Sequence, residues 1–278
     1  MNDTDSQAVR WNGPAGNAWA DSQALIDELF RPIERLLVEH VPPGHVLDVG
    51  CGTGSTTVAA VQRLGTAGRA TGIDISAPML AAARARADRA GVAGQTGFVE
   101  ADAQDHAFDA GTFDTVMSRF GVMFFADFVR AFTNLRRSGT PGAGLRMIVW
   151  RDIADNPYME VAETAARPLL QDMPVRDPHA PGQFALSDPE VVDRILRDSG
   201  WTGIGVDPVD LVCTLPESEL VGYFTRFGPV GLALTDTDAE TRARVIDVVR
   251  PAFDPFVDGA DVRFTAACWL VTARASDR

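Results

Sequence analysis

The residues best suited to chemistry lie at positions 47–54, where an apolar run ends in the sequence Leu-Asp-Val-Gly-Cys-Gly-Thr-Gly. Glycines permit positive φ angles and let a ligand approach the main chain closely. A helix is predicted to begin directly afterwards, and its N-terminus would point free N–H groups and a favourable dipole at a negative group. The stretch therefore predicts a ligand-binding turn of a kind that dinucleotide sites share.

Glycine spacing separates the two main kinds of nucleotide site. The last glycine, Gly54, lies four positions after Gly50, whereas the dinucleotide fingerprint places it five positions after. Asp74 follows Gly54 by 20 positions and closes the second predicted strand. A carboxylate there can accept hydrogen bonds from both hydroxyls of a bound ribose. This acid fits nicotinamide cofactors and S-adenosylmethionine equally, so the glycine spacing must decide between them.

Strands and helices must alternate to position these residues. Short apolar runs predict strands and longer stretches predict helices. The predicted strands are 46–49, 70–74, 97–100, 113–117 and 145–150, the last following a turn at 140–142, and the predicted helices are 55–64, 77–90 and 126–137. This alternation indicates a parallel sheet covered by helices on both faces. Ligands in such sheets bind at the carboxyl ends of the strands, where the strand order switches.

The flanking regions extend this core. The chain is expected to form a single domain over residues 1–278, with an N-terminal helical arm, a core, a cap insert and a C-terminal part at 1–45, 46–150, 151–203 and 204–278. In the arm, 21–40 reads as helix and Pro32 starts a second piece or kinks the first. Proline-rich residues 151–187 predict an irregular insert. Further helices are predicted at 188–199, 217–227 and 236–250, and strands at 206–215 and 262–273.

Composition argues against several classes of partner. The net charge is −13 and no basic stripe is present, which disfavours binding to nucleic acid or to an anionic membrane surface. No apolar run approaches the roughly 18 residues that span a bilayer. The N-terminus is polar, so it resembles neither a secretory signal nor a transit peptide. The three cysteines are widely separated and suggest neither disulfides nor a zinc site, which fits a reducing cytoplasm.

Four motifs in this order resemble those of class I S-adenosylmethionine-dependent methyltransferases. The matching stretches are VLDVGCGTG at 46–54, GIDIS at 72–76, FVEADAQD at 98–105 and FDTVMSRFGVMFF at 113–125. Within the family, the chain is similar to the small-molecule group related to the ubiquinone and menaquinone methyltransferases. The resemblance implies an α/β, doubly wound Rossmann-like fold with a mostly parallel seven-stranded sheet and an antiparallel last strand. It also implies an N-terminal arm, a helical cap insert and S-adenosyl-L-methionine as cofactor.

The resemblance also assigns roles to single residues. It places Asp48 at the methionine amino group, Gly50, Cys51, Gly52 and Gly54 in a backbone cradle, Asp74 on the ribose hydroxyls, Ile75 and Met79 against the adenine, Asp102 and Ala103 at the adenine nitrogens, and Ser118 near the methionine portion. Each role has a structural alternative. Asp74 could cap the following helix, Met79 could be core, and Asp102 could be a loop acid.

No catalytic residue can be assigned from the sequence. Methyl transfer from a sulfonium is an in-line displacement, and alignment and desolvation can supply much of its rate. A base is needed only if the acceptor must lose a proton. His106 and His179 are candidate bases, whereas His40 and His45 flank the first strand away from the ligand end. Arg119 is expected either to bind an acidic acceptor or to form a structural ion pair.

Aromatic residues predict an enclosed acceptor pocket. Residues 1–20, 118–125 and 151–187 are irregular or aromatic, and the motifs place the sulfonium beneath them. We therefore expect these segments to form a lid over an apolar pocket for a small hydrophobic acceptor. The pocket-lining candidates are Phe120, Met123, Phe124, Phe125 and Tyr158, with Trp11 and Trp19 in the arm. Packing alone is the alternative for the residues at 120–125 and for the arm.

Three other functions compete with this interpretation. A nicotinamide-dependent oxidoreductase would share the sheet and the ribose acid, but the chain contains no lysine for the usual Tyr-x-x-x-Lys pair. A non-catalytic binding protein on the same fold is disfavoured by the intact cofactor motifs. Amino-methylating nucleic-acid enzymes often carry Asn/Asp-Pro-Pro-Tyr/Phe after the fourth strand, where this chain has Ser118-Arg119-Phe120. The sequence leaves open the acceptor, the atom methylated, and whether the protein is a monomer or a homodimer.

Overall fold

A central β-sheet organises the computed structural model of the chain, which describes residues 3–171, 173, 180–235 and 237–276. Its strands are β1 (His45–Val49), β2 (Arg69–Asp74), β3 (Thr96–Glu100), β4 (Phe113–Arg119), β5 (Gly139–Trp150), β6 (Trp201–Pro216), β7 (Val257–Asp258) and β8 (Asp261–Ala275). Seven of them follow one another in the order β3-β2-β1-β4-β5-β8-β6, and β7 pairs with β8 off this path. The described sheet thus has eight strands where the resemblance predicts seven, because a two-residue strand such as β7 is too short for a pattern of residues to predict.

Strand direction confirms the expected mixed sheet. β1 to β5 pair in parallel, and β8 runs antiparallel to both β5 and β6. The chain leaves β1 towards β2 and β3 and then returns to the other side of β1 with β4. The strand order therefore switches between β1 and β4, and their carboxyl ends mark the expected ligand site.

Helices cover the sheet and form the two flanking regions. They are α1 (Asp3–Asn12), α2 (Pro14–Asp21), α3 (Gln23–Leu29), α4 (Arg31–Val38), α5 (Ser55–Leu64), α6 (Ala77–Arg89), α7 (Phe128–Ser138), α8 (Tyr158–Ala166), α9 (Pro189–Asp198), α10 (Leu220–Phe224), α11 (Gly228–Ala233) and α12 (Ala239–Ala252). Phe30 separates α3 from α4, and Pro32 lies in the first turn of α4, as the sequence predicts. No helix in the described part of the chain is long and apolar enough to cross a membrane.

Three predictions of local structure need correction. The predicted irregular insert contains α8, which Pro157 caps and whose inner face is buried. The predicted turn at 140–142 lies inside β5 as a bulge, because the pairing shifts from Phe113↔Gly139 to Thr115↔Gly144. The predicted helix at 217–227 is a short 3-10 turn followed by α10, and α11 was not predicted. In each case packing against neighbouring elements outweighed the local signal.

Candidate active site

A cavity of about 320 Å³ lies at the carboxyl ends of the parallel strands. Each of the first five strands contributes to its wall with a residue at or just beyond its end, namely Gly50, Asp74, Asp102, Arg119 and Trp150. The cavity therefore occupies the position that the strand order predicts for a ligand.

The glycine turn brings the main chain to the cavity wall. Gly50, Gly52 and Gly54 have φ angles of 66°, 53° and 78°, which side chains rarely adopt. A Cβ on Gly50 would lie 2.5 Å from the Cα of Gly121, so two loops cross here without side chains between them. A Cβ on Gly54 would lie 2.8 Å from the Cβ of Ala83, so this glycine serves the packing of α5 against α6.

Cys51 is a small buried residue between these glycines. A Cβ on Gly72 would lie 2.7 Å from the Cys51 Sγ, so the thiol fills the space above β2. Burial raises the pKa of this thiol well above its ordinary value. A neutral thiol is a poor nucleophile, which supports the expectation of a packing role.

Asp74 combines a structural role with a position on the cavity wall. Its Oδ2 accepts a hydrogen bond of 2.8 Å from the Gly52 N–H, and its Oδ1 accepts one of 2.9 Å from the Ser76 N–H. Burial raises the pKa of this carboxyl. A carboxylate has about four lone-pair positions, so these two bonds leave capacity for a ligand on both oxygens. Asp74 can therefore hold the glycine turn in place and accept hydrogen bonds from a ligand at the same time.

Asp48 is a fully buried carboxylate behind the glycine turn. Its Oδ2 accepts hydrogen bonds of 2.6 Å from the hydroxyls of Thr56 and Thr57 in the first turn of α5. Its Oδ1 has no hydrogen-bond partner among the described residues. Burial raises the pKa of Asp48 to about 6, against the opposing effects of the two threonines and the positive charge of Arg119.

Arg119 places a positive charge on the same side of the cavity. Its Nη2 donates a 2.9 Å hydrogen bond to the Ser55 Oγ, and its Nη1 lies 3.9 Å from the Glu34 carboxylate. That Nη1 is buried without a hydrogen-bond partner in the described structure. The Asp48 Oδ1 can thus accept a further hydrogen bond, and the Arg119 Nη1, paired with Glu34 at 3.9 Å, can donate one.

The loops after β2 and β3 form the opposite end of this wall. Ile75 and Met79 line the cavity, as do Asp102 and Ala103. The Asp102 Oδ1 accepts a 2.8 Å bond from the Gln104 N–H, and burial raises the pKa of Asp102. The Asn134 amide donates to the carbonyls of Ala103 and His106, which holds the loop against α7. The structure therefore brings together residues that the sequence places on three separate motifs.

Ser118 uses its hydroxyl within the protein. The Oγ donates a 2.8 Å hydrogen bond to the Val49 carbonyl and accepts one of 3.3 Å from the Val122 N–H. The side chain is buried and ties the end of β4 to the end of β1. The sequence expectation placed Ser118 near the methionine portion of the cofactor, and the structure gives its side chain this internal role beside the turn.

The N-terminal arm lies across the end of β2. The Asn12 amide donates to the Ile75 carbonyl and accepts from the Ala77 N–H, both at 2.9 Å. The Trp11 carbonyl accepts a 2.6 Å bond from the Ser76 hydroxyl. Trp11 and Trp19 both line the cavity. The arm therefore packs on the domain and also contributes to the cavity wall.

A second part of the cavity wall consists of aromatic side chains, and we call it the aromatic wall. Its members are Phe30, Phe120, Phe124, Trp150, Tyr158, Tyr223, Phe224, Phe227 and Phe253. Phe120, held at a φ of 66°, stacks on Trp150 with ring centroids 4.2 Å apart. The contribution of α10 and α11 was not predicted, because their short apolar stretches carry no motif and reach the cavity only through the tertiary fold.

The candidate bases do not meet at this cavity. His40, His45 and His106 lie outside the described cavity wall. His45 contacts the Thr71 hydroxyl at the start of β1, and His106 packs edge-on against Phe108. His179 lies outside the described residues. Among the described residues, no histidine lines the cavity.

Comparison with known proteins identifies the fold and the chemistry. Residues 46–142 match the model of the methyltransferase domain. The chain is 40% identical to nocamycin O-methyltransferase of Saccharothrix syringae over 214 residues, which are 70% of this chain and 74% of that protein. This chain belongs to the class I S-adenosylmethionine-dependent methyltransferases. A demethylmenaquinone methyltransferase of Lactiplantibacillus plantarum is 38% identical over 36% of this chain and 43% of its own.

A solved methyltransferase shows the same fold. The geranyl diphosphate C-methyltransferase of Streptomyces coelicolor, solved with Mg²⁺, geranyl diphosphate and S-adenosyl-L-homocysteine, superposes with a TM-score of 0.52. The two sequences are 18% identical, and the match covers 91% of this chain and 83% of that one. The family, fold class and cofactor expected from the sequence are thus confirmed. The Asp48 Oδ1 and the Arg119 Nη1, which make no hydrogen bond in the described structure, fit the amino-acid part of that cofactor. So does the open main chain at Gly52, where a Cβ would have only the Met79 Sδ within 4 Å.

Proposed function

We propose that this methyltransferase acts on a small, mostly hydrophobic molecule that is enclosed in the cavity together with the cofactor. The observation that carries the proposal is the aromatic wall, which lines the same cavity as the glycine turn and Asp74. Apolar walls with a few polar groups are typical of small-molecule sites. The named activities of the nocamycin and demethylmenaquinone methyltransferases support the same substrate class.

On this proposal, different residues of the chain bind different parts of the cofactor. Asp74 accepts hydrogen bonds from the ribose hydroxyls, while Asp48 and Arg119 hold the ammonium and carboxylate of the methionine portion. Ile75, Met79 and the 102–103 loop enclose the adenine. The cofactor supplies an already activated methyl group. The protein then has to orient this methyl group towards the aromatic wall.

Three segments predicted to form a lid all contribute to the cavity wall. Trp11 and Trp19 come from the arm, Phe120 and Phe124 from the loop after β4, and Tyr158 from the insert. We infer that they exclude water from the transferring methyl group. Dry surroundings strengthen electrostatic interactions in the site and prevent hydrolysis of the activated group. Alignment and desolvation would then supply much of the rate without a dedicated base.

Transfer of a labelled methyl group tests the substrate class. With labelled S-adenosylmethionine we expect incorporation into small phenols and hydroxyquinones, whose hydroxyl oxygen accepts the methyl group and loses its proton. Naphthol and alizarin are the first probes, and no label is expected in total RNA or casein. Alizarin and naphthol should also raise the melting temperature of the protein saturated with S-adenosylhomocysteine, since a ligand that binds the folded state stabilises it. Labelling of RNA or casein with no small molecule labelled would contradict the proposal.

A further inference from the structure

The aromatic wall contains both tyrosines of the chain, and one of them has an unused hydroxyl. Tyr158 is 3% exposed, and its hydroxyl has no hydrogen-bond partner among the described residues. Its ring stacks on Phe264 with centroids 3.8 Å apart and an interplanar angle of 17°, so the orientation of the ring is fixed. A rigid phenol without a partner is thus built into the wall of a ligand cavity.

Such a hydroxyl is unfavourable without a ligand. Buried polar groups in proteins are almost always paired, because an unpaired one loses its hydrogen bonds to water and gains none in return. Phenylalanine at this position would keep the stacking on Phe264 and remove the penalty. The presence of a tyrosine therefore points to a partner that arrives from outside the chain.

The surroundings determine what that partner must offer. Cys213 and Cys268 are buried near Tyr158, and burial raises the pKa of both thiols and of the Tyr158 phenol. Burial also raises the pKa of the neighbouring Tyr223 to about 12. Tyr158 is accordingly a neutral phenol at physiological pH, and a neutral phenol donates one strong hydrogen bond. The complementary group is an oxygen acceptor on a molecule that otherwise suits aromatic surroundings.

We propose that the Tyr158 hydroxyl donates a hydrogen bond to a carbonyl or phenolic oxygen of the methyl acceptor and thereby selects oxygen-bearing aromatic molecules. Tyr158 is then a specificity-determining residue for the acceptor. The inference rests on the proposed function, since it assigns the aromatic wall to the acceptor. It adds the chemical group that the acceptor presents and the side of the cavity where that group lies.

Paired probes that differ by one oxygen test this assignment. α-Tetralone carries a carbonyl on a fused aromatic frame, and tetralin is the same frame without it. Both would be titrated calorimetrically into protein saturated with S-adenosylhomocysteine. The wild type should bind α-tetralone about tenfold more tightly than tetralin, and Tyr158→Phe should bind the two equally. Tyr223→Phe, which removes the other phenol of the wall, should keep the preference.

Other outcomes separate this inference from the proposed function. Tyr158→Phe should bind S-adenosylhomocysteine as the wild type does and melt at the same or a higher temperature, since it loses an unpaired group. Retention of the preference for α-tetralone in Tyr158→Phe would overturn the inference, as would equal or absent binding of both probes by the wild type. Failure of the wild type to bind S-adenosylhomocysteine would instead remove the cofactor assignment on which the proposed function stands.

Discussion

Replacing Asp74 by alanine is expected to weaken the binding of S-adenosylhomocysteine by at least tenfold. The carboxylate lies on the cavity wall and keeps free lone pairs after bonding Gly52 and Ser76. On our proposal its loss leaves two ribose hydroxyls without their acceptor, and hydrogen bonds to charged groups contribute about 1.5–3 kcal/mol each. Isothermal titration calorimetry measures the change directly.

Asp238→Ala is the matched control for this substitution. Asp238 also holds a backbone N–H at the start of a helix, accepting a 2.8 Å bond from the Thr241 N–H, and it lies outside the cavity wall. Asp238 caps its helix, whereas Asp74 holds the N–H of the cap residue Ser76, so both substitutions remove the acceptor of a backbone N–H and should lower the melting temperature. Affinity for S-adenosylhomocysteine should fall in Asp74→Ala alone. Equal affinity in both variants would show that Asp74 only braces the turn.

Asp48→Asn is expected to lower affinity for S-adenosylhomocysteine about tenfold or more, because the ligand's ammonium loses a charged partner. Methylthioadenosine shares the adenosine part but has no amino-acid group, so its affinity for the variant should be unchanged.

Arg119→Gln should likewise weaken the binding of S-adenosylhomocysteine and leave that of methylthioadenosine unchanged, because the ligand's carboxylate loses its charged partner. Arg146→Gln is its control, since the Arg146 guanidinium donates to the Leu36 and Leu37 carbonyls outside the cavity wall. Equal losses for both ligands would contradict the assignment.

The affinity for S-adenosylhomocysteine should depend on pH in the direction that the raised pKa of Asp48 implies. Burial raises the pKa of Asp48 to about 6, so the carboxylate is charged above this value and neutral below it. Affinity for S-adenosylhomocysteine should therefore fall as the pH drops through about 6, and Asp48→Asn should lose this step. The free energy of unfolding of the ligand-free protein should instead rise as the pH drops through about 6. A carboxyl whose pKa is raised by folding opposes folding when ionised, so Asp48→Asn should melt no lower than the wild type at neutral pH.

The sequence predicts the parts of the site that local chemistry specifies. Gly50, Gly52 and Gly54 were predicted to form a tight turn between β1 and α5, and all three adopt positive φ angles. The predicted helix 55–64 coincides with α5. These features follow from residue type and short-range spacing, because only glycine tolerates such angles readily and the helix begins where the turn ends.

Features that depend on packing between distant segments were not predictable in the same way. Asp48 and Arg119 lie 71 positions apart, and the positive charge of Arg119 acts on Asp48 only because β1 and β4 are neighbouring strands. Tyr223 reaches the cavity from α10, in a region where the sequence predicted one helix without any function. The bulge at 140–142 carries turn residues, yet Gly139 before it and Gly144 after it both pair with β4, so the segment stays within β5.

A crystal structure of the complex with S-adenosylhomocysteine tests the central claim most directly, because it shows which wall of the cavity holds which part of the ligand. We expect the ribose hydroxyls within hydrogen-bond distance of Asp74, the ammonium group beside the Asp48 Oδ1, and the sulfur facing the aromatic wall. The space between the sulfur and Tyr158 should then remain open for the acceptor. An adenine ring stacked in the aromatic wall, with the amino-acid end away from Asp48 and Arg119, would contradict this account.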